Sequence, residues 1–262
     1  MKTALRLIRT QPLDGYQNMA LDEALFLSSI SSGKPVVTAR LYEWAPPAFS
    51  FGVSQKISEI FDIERCRRQK IGCVRRMTGG GIIFHDNEIT YSLIVPELVP
   101  MARRPVPESF KALCSFLIIF YSKLGLRARF AIDEPYGGAF GEHTAFCFAG
   151  REKYDILISG KKIGGNAQKR LRGHIFQHGS IPVAALKEHM HAVPPKERLF
   201  EALYGSLKEA FGATAEIQEP TKEEWKFAER LKYEKYQTEA WNIEHKDPRG
   251  SIKRYRLETV QK

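Results

Sequence analysis

The 262-residue chain is 43% hydrophobic and 27% charged, enough apolar content for a sizeable core, and no window approaches the ~18 consecutive apolar residues of a membrane span. Its start, MKTALRLIRTQPLDGYQNMA, breaks its apolar run with arginine and excludes a signal peptide, so a cytoplasmic protein with no membrane partner is expected. Forty Lys and Arg against thirty Asp and Glu give a net charge of +10, which favours an anionic partner, but the basic residues are scattered and match no nucleic-acid-binding pattern.

No repeat, low-complexity tract or linker interrupts residues 1–262, which read as a single domain. ALRLIRT reads as a first strand and YQNMALDEALFLSSI as a helix, with Asn18 as its cap and Asp22 and Glu23 in its early turns. PVVTARLYEW follows as strand, ISEIFDIERCRRQ as one helix, and GCVRRM as strand. GGIIFH and ITYSLIV then read as a hairpin joined around Asp86, Asn87 and Glu88. In VPESFKALCSFLIIFYSKLGL, Phe110, Leu113, Leu117, Phe120 and Leu124 recur at helical spacing, and Gly125 marks the helix end. After the irregular AIDEPYGGAFGEHTAFCFAG, the SGKK of KYDILISGKKIGG predicts a tight turn between two strands. HIFQHGSIPV is a further strand beyond the polar NAQKRLRG. The rest is mainly helical, with a stripe at Leu199, Leu203, Leu207 and Phe211 and a capping box at Thr221 and Glu224. Strands and helices cluster without alternating, which predicts an α+β fold.

Two stretches carry candidate chemistry. In RRMTGGGIIFHD, consecutive glycines let backbone approach a ligand and aim N–H donors at a carbonyl or anion, with Arg75 and Arg76 as charged donors alongside. A β-bulge or a close strand crossing explains the same glycines. His85 stands at the turn, placed either to orient a ligand and carry a proton or simply to meet solvent. In the second stretch, Lys162 follows a glycine turn and leads into Gly164, Gly165, Asn166 and Ala167. Its ammonium either crosses a ligand site or is that of an ordinary exposed turn lysine. No CxxC or metal-type spacing joins Cys66, Cys73, Cys114 and Cys147, so no metal site is expected. Cys114 and Cys73 read as small core residues, and Cys66 sits in an arginine-rich helix. Cys147, between Phe146 and Phe148 in a glycine-containing stretch, is either a nucleophile or a buried structural thiol.

Together these stretches resemble the biotin/lipoate protein ligase and transferase superfamily. Basic residues, a glycine triplet and His-Asp match RRMTGGGIIFHD, a lysine before small residues matches KKIGGNAQ, and QHGSI follows in register. The resemblance runs from NMALDEALF and FSFGVSQ through HGSIPV and covers most of the chain. It implies a mixed, largely antiparallel sheet flanked by helices, related to the catalytic domain of class II aminoacyl-tRNA synthetases. It also implies one acyl pocket walled by Gly79, Gly80 and Gly81 with Arg75, Arg76 and His85, and on the other side by Gly165, Asn166, Ala167 and His178. The order AFCFAGREKYDILISGKKIGGNAQ is similar to octanoyltransferases of Gram-positive bacteria, in which a cysteine precedes the strand leading to the lysine.

This resemblance implies Cys147 as nucleophile and Lys162 as its partner, with octanoyl-acyl carrier protein as donor and a lipoyl domain or the glycine-cleavage H protein as acceptor. A monomer needing no cofactor is expected. An ATP-dependent lipoate ligase remains the first alternative, because Asn166 stands where such transferases often have serine. Transfer from octanoyl-H protein to other lipoyl domains is a second. The biotin branch is disfavoured, since its GRGR-type loop is missing.

Overall fold

A computed structural model describes residues 4–134 and 152–247. Strand β1 (Ala4–Arg9) leads through helix α1 (Gly15–Ser32) to β2 (Val36–Tyr42), which lies parallel to it. The chain then leaves this sheet. β3 (Ala48–Phe51), the short helices α2 (Ile57–Ile60) and α3 (Ile63–Arg68), β4 (Gly72–Arg75) and β5 (Ile83–His85) build a second sheet in the order β4-β3-β5. β6 (Glu88–Val95) returns to the first sheet, antiparallel to β2, and a 3-10 turn at Pro100–Arg103 precedes α4 (Val106–Lys123). β7 (Ala128–Phe130), β8 (Ile156–Ile158) and β9 (Lys161–Lys162) form a small antiparallel sheet. β10 (Gly165–Leu171) and β11 (His174–Pro182) follow as a hairpin. Then come α5 (Val183–Lys187), α6 (Lys196–Phe211), β12 (Ile217–Gln218), α7 (Lys222–Leu231), a π-helical turn at Lys232–Tyr236 and α8 (Glu239–Asn242).

The main sheet runs β10-β11-β6-β2-β1-β12, antiparallel from β10 to β2 and parallel from β2 to β12. This is the mixed α+β architecture expected from the sequence. Because side chains alternate along a strand, each face has its own core. Ile89, Tyr91, Leu93 and Val95 of β6 join α4 and α6 in one, while Ile94 and Phe176 join α1 and α7 in the other. Glu88, Thr90 and Ser92 share the α1 side with Ile94, so that face carries a buried polar strip. The strip positions the functional site.

α1 covers the strip. An unbroken buried run from Asn18 to Leu27, shut in by sheet and α7, explains why no amphipathic period is visible along it. Its cap is Asp14, in a capping box with Gln17, and not Asn18. Asn18 lies one turn inside, where Nδ2 donates to Leu13 O and Glu43 O at 3.0 Å each. Asp22 and Glu23 likewise face the interior rather than the helix dipole. Asp22 pairs with Arg40 at 2.8 Å, and Glu23 with Lys235 at 2.8 Å.

Three further expectations change. ISEIFDIERCRRQ is two short helices: Phe61 turns extended after the first, and Asp62 caps the second by accepting from Arg65 N. GGIIFH and ITYSLIV do not pair: β5 joins β3 in the second sheet, while β6 lies between β2 and β11. Part of NAQKRLRG is strand, its polarity fitting an edge position, and the turn to β11 uses positive φ at Arg172 and Gly173. The SGKK turn is found where expected, with Ser159 and Gly160 both at positive φ. Among the described residues no helix is long and apolar enough to cross a membrane.

Candidate active site

Between the glycine-bearing segment and the β10-β11 hairpin lies a small cleft. Tyr42, Trp44 and Ile83 give it apolar walls, and Arg76, His85 and His178 bring polar groups to it. Gly165, Asn166 and Ala167 close the hairpin side. Six residues singled out in the sequence thus meet at one place: Arg76, His85, Gly165, Asn166, Ala167 and His178.

Arg75 does not meet them. Its guanidinium is fully buried and turned the other way, donating to the carbonyls of Trp241 (2.8 Å), Val53 (2.9 Å), Gln55 (2.8 Å) and Asn242 (2.9 Å). These bonds clamp α8 to the loop after β3. Successive residues leaving a strand face opposite ways, so Arg75 and Arg76 diverge.

The glycine loop folds over Arg76. Nη2 of Arg76 donates to Gly79 O at 3.1 Å and Gly81 O at 2.8 Å, and Gln55 donates to Gly80 O at 3.3 Å. Gly80 has φ +97°, and a Cβ on Gly52 would lie 2.0 Å from Gly80 O. The loop's carbonyls therefore point at the protein, the glycines serve a close crossing with β3, and none of Gly79, Gly80 and Gly81 lines the cleft.

His85 and His178 each have a buried carboxylate nearby. His178 Nε2 lies 2.7 Å from Thr78 Oγ1, which pins the glycine loop to β11, and its Nδ1 faces Asp22 at 3.9 Å. Burial pushes the His178 pKa below the ordinary histidine value. Burial works to raise Asp22, but the Arg40 charge, then His178 and the Tyr42 hydroxyl at 2.8 Å, outweigh it and hold the carboxyl below its usual range. His85 Nδ1 lies 2.7 Å from Glu88 Oε1, and its ring stacks on Trp44 at 3.8 Å. Burial opposes ionisation of Glu88 too, yet His85 together with Ser180 and Thr90 keeps that pKa below the usual value.

On the hairpin side, Lys162 is nearly buried and pairs with Asp155 at 2.8 Å, so it is not an exposed turn lysine. It lies outside the cleft lining. Its partner Asp155 lines a second cleft, and Asn166 lines both. Asn166 Oδ1 accepts from Tyr91 at 2.6 Å, and Tyr91 accepts from Gln177 at 2.9 Å. Cys147 lies outside the described residues. Of the other thiols, Cys114 is buried beside Gln177 and burial pushes its pKa up to about 12. Burial and the neighbouring Cys66 push Cys73 up to about 12 as well.

Sequence reasoning missed Trp44, Thr90, Ser180, Glu88, Ser50 and Asp155. For Glu88 the available signal is a single charged residue opening the β-rich run EITYSLIV.

Residues 14–223 match the lipoyl protein ligase A/B catalytic domain, and the chain belongs to that family. Among curated relatives, octanoyltransferase LipM of Geobacillus kaustophilus is 34% identical over 86% of this chain and 93% of its own. Octanoyltransferase LipM of Kyrpidia tusciae is 35% identical over 90% of this chain and 97% of its own. Among solved structures, the fold matches a bipartite lipoate protein ligase of Thermoplasma acidophilum with TM-score 0.69 and 21% identity, covering 93% of this chain and 96% of that one. Lipoate-protein ligase A bound with ATP matches with TM-score 0.70 and 21% identity, covering 93% and 99%. The chain is accordingly an enzyme of the lipoate ligase and transferase family, with that family's catalytic fold.

Proposed function

We propose that the protein moves an octanoyl group from acyl carrier protein, through a thioester on Cys147, to the lysine of a lipoyl domain or the glycine-cleavage H protein. The observation that carries the reading is the convergence of Arg76 and His85 with Gly165–Ala167 and His178 around one apolar cleft, in a chain about a third identical to octanoyltransferases along most of its length.

The chemistry runs in two transfers. The Cys147 thiolate attacks the donor thioester carbonyl, with N–H groups of the Lys162 hairpin stabilising the oxyanion. The carrier thiolate leaves and takes a proton from the Lys162 ammonium. The octanoyl chain occupies the cleft between Trp44, Ile83 and Ala167. The acceptor lysine, as a neutral amine, then attacks the thioester, its proton passes to Lys162, and the Cys147 thiolate is released. Lys162 ends as it began. Asp155, 2.8 Å away, holds the ammonium in place and compensates its charge. Burial, which raises the Cys114 and Cys73 pKa values, makes each a poor nucleophile.

Thioester-to-amide transfer needs no ATP and no metal. The net charge of +10 steers acidic carrier domains to the enzyme. The protein works as a cytoplasmic monomer. A side-by-side assay with octanoyl carrier protein, octanoyl-H protein, and free octanoate plus ATP tests the reading, using an unmodified lipoyl domain as acceptor. Octanoylation from carrier protein without ATP is expected. Product only with free acid and ATP makes the enzyme a ligase, and product only from octanoyl-H protein makes it an amidotransferase.

A further inference from the structure

Ser50 on β3 has no exposed surface, and its Oγ lies 2.7 Å from Arg76 Nη1 and 2.5 Å from His85 Nε2. The other ring nitrogen of His85 is 2.7 Å from Glu88 Oε1. The spacing is that of a serine-histidine-carboxylate triad, but the hydrogen-bond directions give it a different task. A guanidinium only donates, so Ser50 Oγ accepts from Arg76, and against a neutral imidazole with a bare Nε2 its own proton goes to His85. His85 then carries its own proton on Nδ1 and donates it to Glu88. Ser50 is not part of the cleft wall, whereas Arg76 and His85 are. The array thus ends on a guanidinium beside the acyl pocket and not on an accessible nucleophile.

Glu88 anchors it. Besides His85, its carboxylate accepts from Thr90 at Oε1 and from Ser180 at Oε2, each at 2.5 Å. Thr90 in turn accepts from Trp44 Nε1 at 2.8 Å, and Trp44 lies within 5° of parallel to the His85 ring. Ser180 stands opposite Gly165 in the β10-β11 pair. One buried carboxylate therefore ties the Arg76 wall of the cleft to the hairpin wall.

We infer that Glu88 is a positioning residue, acting through His85 and Ser50 to fix the plane of the Arg76 guanidinium and with it the place of the acyl carbonyl. The inference rests on the acyl-transfer reading for its kinetic consequence, though not for its hydrogen-bond pattern. Removing the relay takes away the Nη1 contact and leaves the guanidinium held at Nη2 by Gly79 O and Gly81 O, so that it can tilt about that edge, and a misplacement of about 1 Å near the reacting carbonyl costs up to roughly 100-fold in rate.

Two measurements test it. Nitrogen-15 NMR of the wild-type imidazoles should find His85 with its proton on Nδ1 and a bare Nε2; a proton on Nε2 overturns the relay without any variant being made. Ser50→Ala should lower kcat for octanoyl transfer about 10- to 100-fold, with KM for the acceptor domain unchanged, and Ser50→Thr, which restores the hydroxyl, should recover most of the loss. A Ser50→Ala enzyme within twofold of wild-type kcat overturns the inference, as does one that Ser50→Thr does not rescue. If the wild type transfers no octanoyl group from any carrier, the functional reading fails, while the tautomer still decides the relay.

Discussion

Gly52 and Gly80 touch backbone to backbone: a Cβ on Gly52 would stand 2.0 Å from the Gly80 carbonyl oxygen and 2.8 Å from Gly79 C. The contact sets the height of the glycine loop above β3. Gly52→Ala should displace the loop from Arg76, costing about 1–3 kcal/mol of stability as overpacking does and lowering octanoyl transfer with it. Chemical denaturation and a transfer assay on the same preparation measure both. A variant with wild-type stability and rate contradicts this role for the contact.

The Arg40 and Asp22 side chains are an ion pair with at most 1% of either exposed, and Asp22 also accepts from Tyr42 and Ser92. Breaking one side of such a pair leaves a buried charge unmatched, so Asp22→Asn should destabilise the protein by about 3–5 kcal/mol in denaturant unfolding. A loss under about 1 kcal/mol would show that water reaches the strip.

Acid should unfold the protein through the same strip. Glu88 and Asp22 both sit below their ordinary values, so their stabilisation is fully present above the unfolded-state values of about 4.3 and 3.9. It is lost as pH falls from there through the folded-state values. Stability against pH should therefore drop steeply below about pH 4, and Glu88→Gln should flatten part of that drop. An unchanged acid limb in Glu88→Gln contradicts the assignment.

How far the sequence discloses this site depends on what each residue has to satisfy. Turns and close crossings restrict residue type locally, so RRMTGGG and SGKK are legible from composition and order alone. Asp86 and Asn87 have the chemistry of a hairpin turn, and Asn87 does adopt φ +48°, yet the two strands it joins enter different sheets. Local chemistry does not reveal that choice. The polar strip is hidden for another reason: Asn18, Asp22, Arg40, Ser92 and His178 come from distant segments and look like unrelated polar residues until the sheet aligns them. Of two adjacent arginines, nothing in the sequence says that Arg75 clamps α8 while Arg76 faces the cleft.

Steering by charge gives a kinetic expectation. Ionic strength should lower kcat/KM for the acidic donor and acceptor domains, with kcat at saturation unaffected, since screening acts on encounter. Stopped-flow assays across a salt series measure it. Rates independent of salt with both carriers remove the role assigned to the +10 charge.

The most direct measurement is mass spectrometry of the enzyme after mixing with octanoyl carrier protein and no acceptor. One octanoyl group on the peptide containing Cys147, absent in Cys147→Ala and discharged by adding a lipoyl domain, is the result expected. An octanoyl adduct that persists in Cys147→Ala, or full transfer activity in that variant, contradicts acyl transfer through this cysteine.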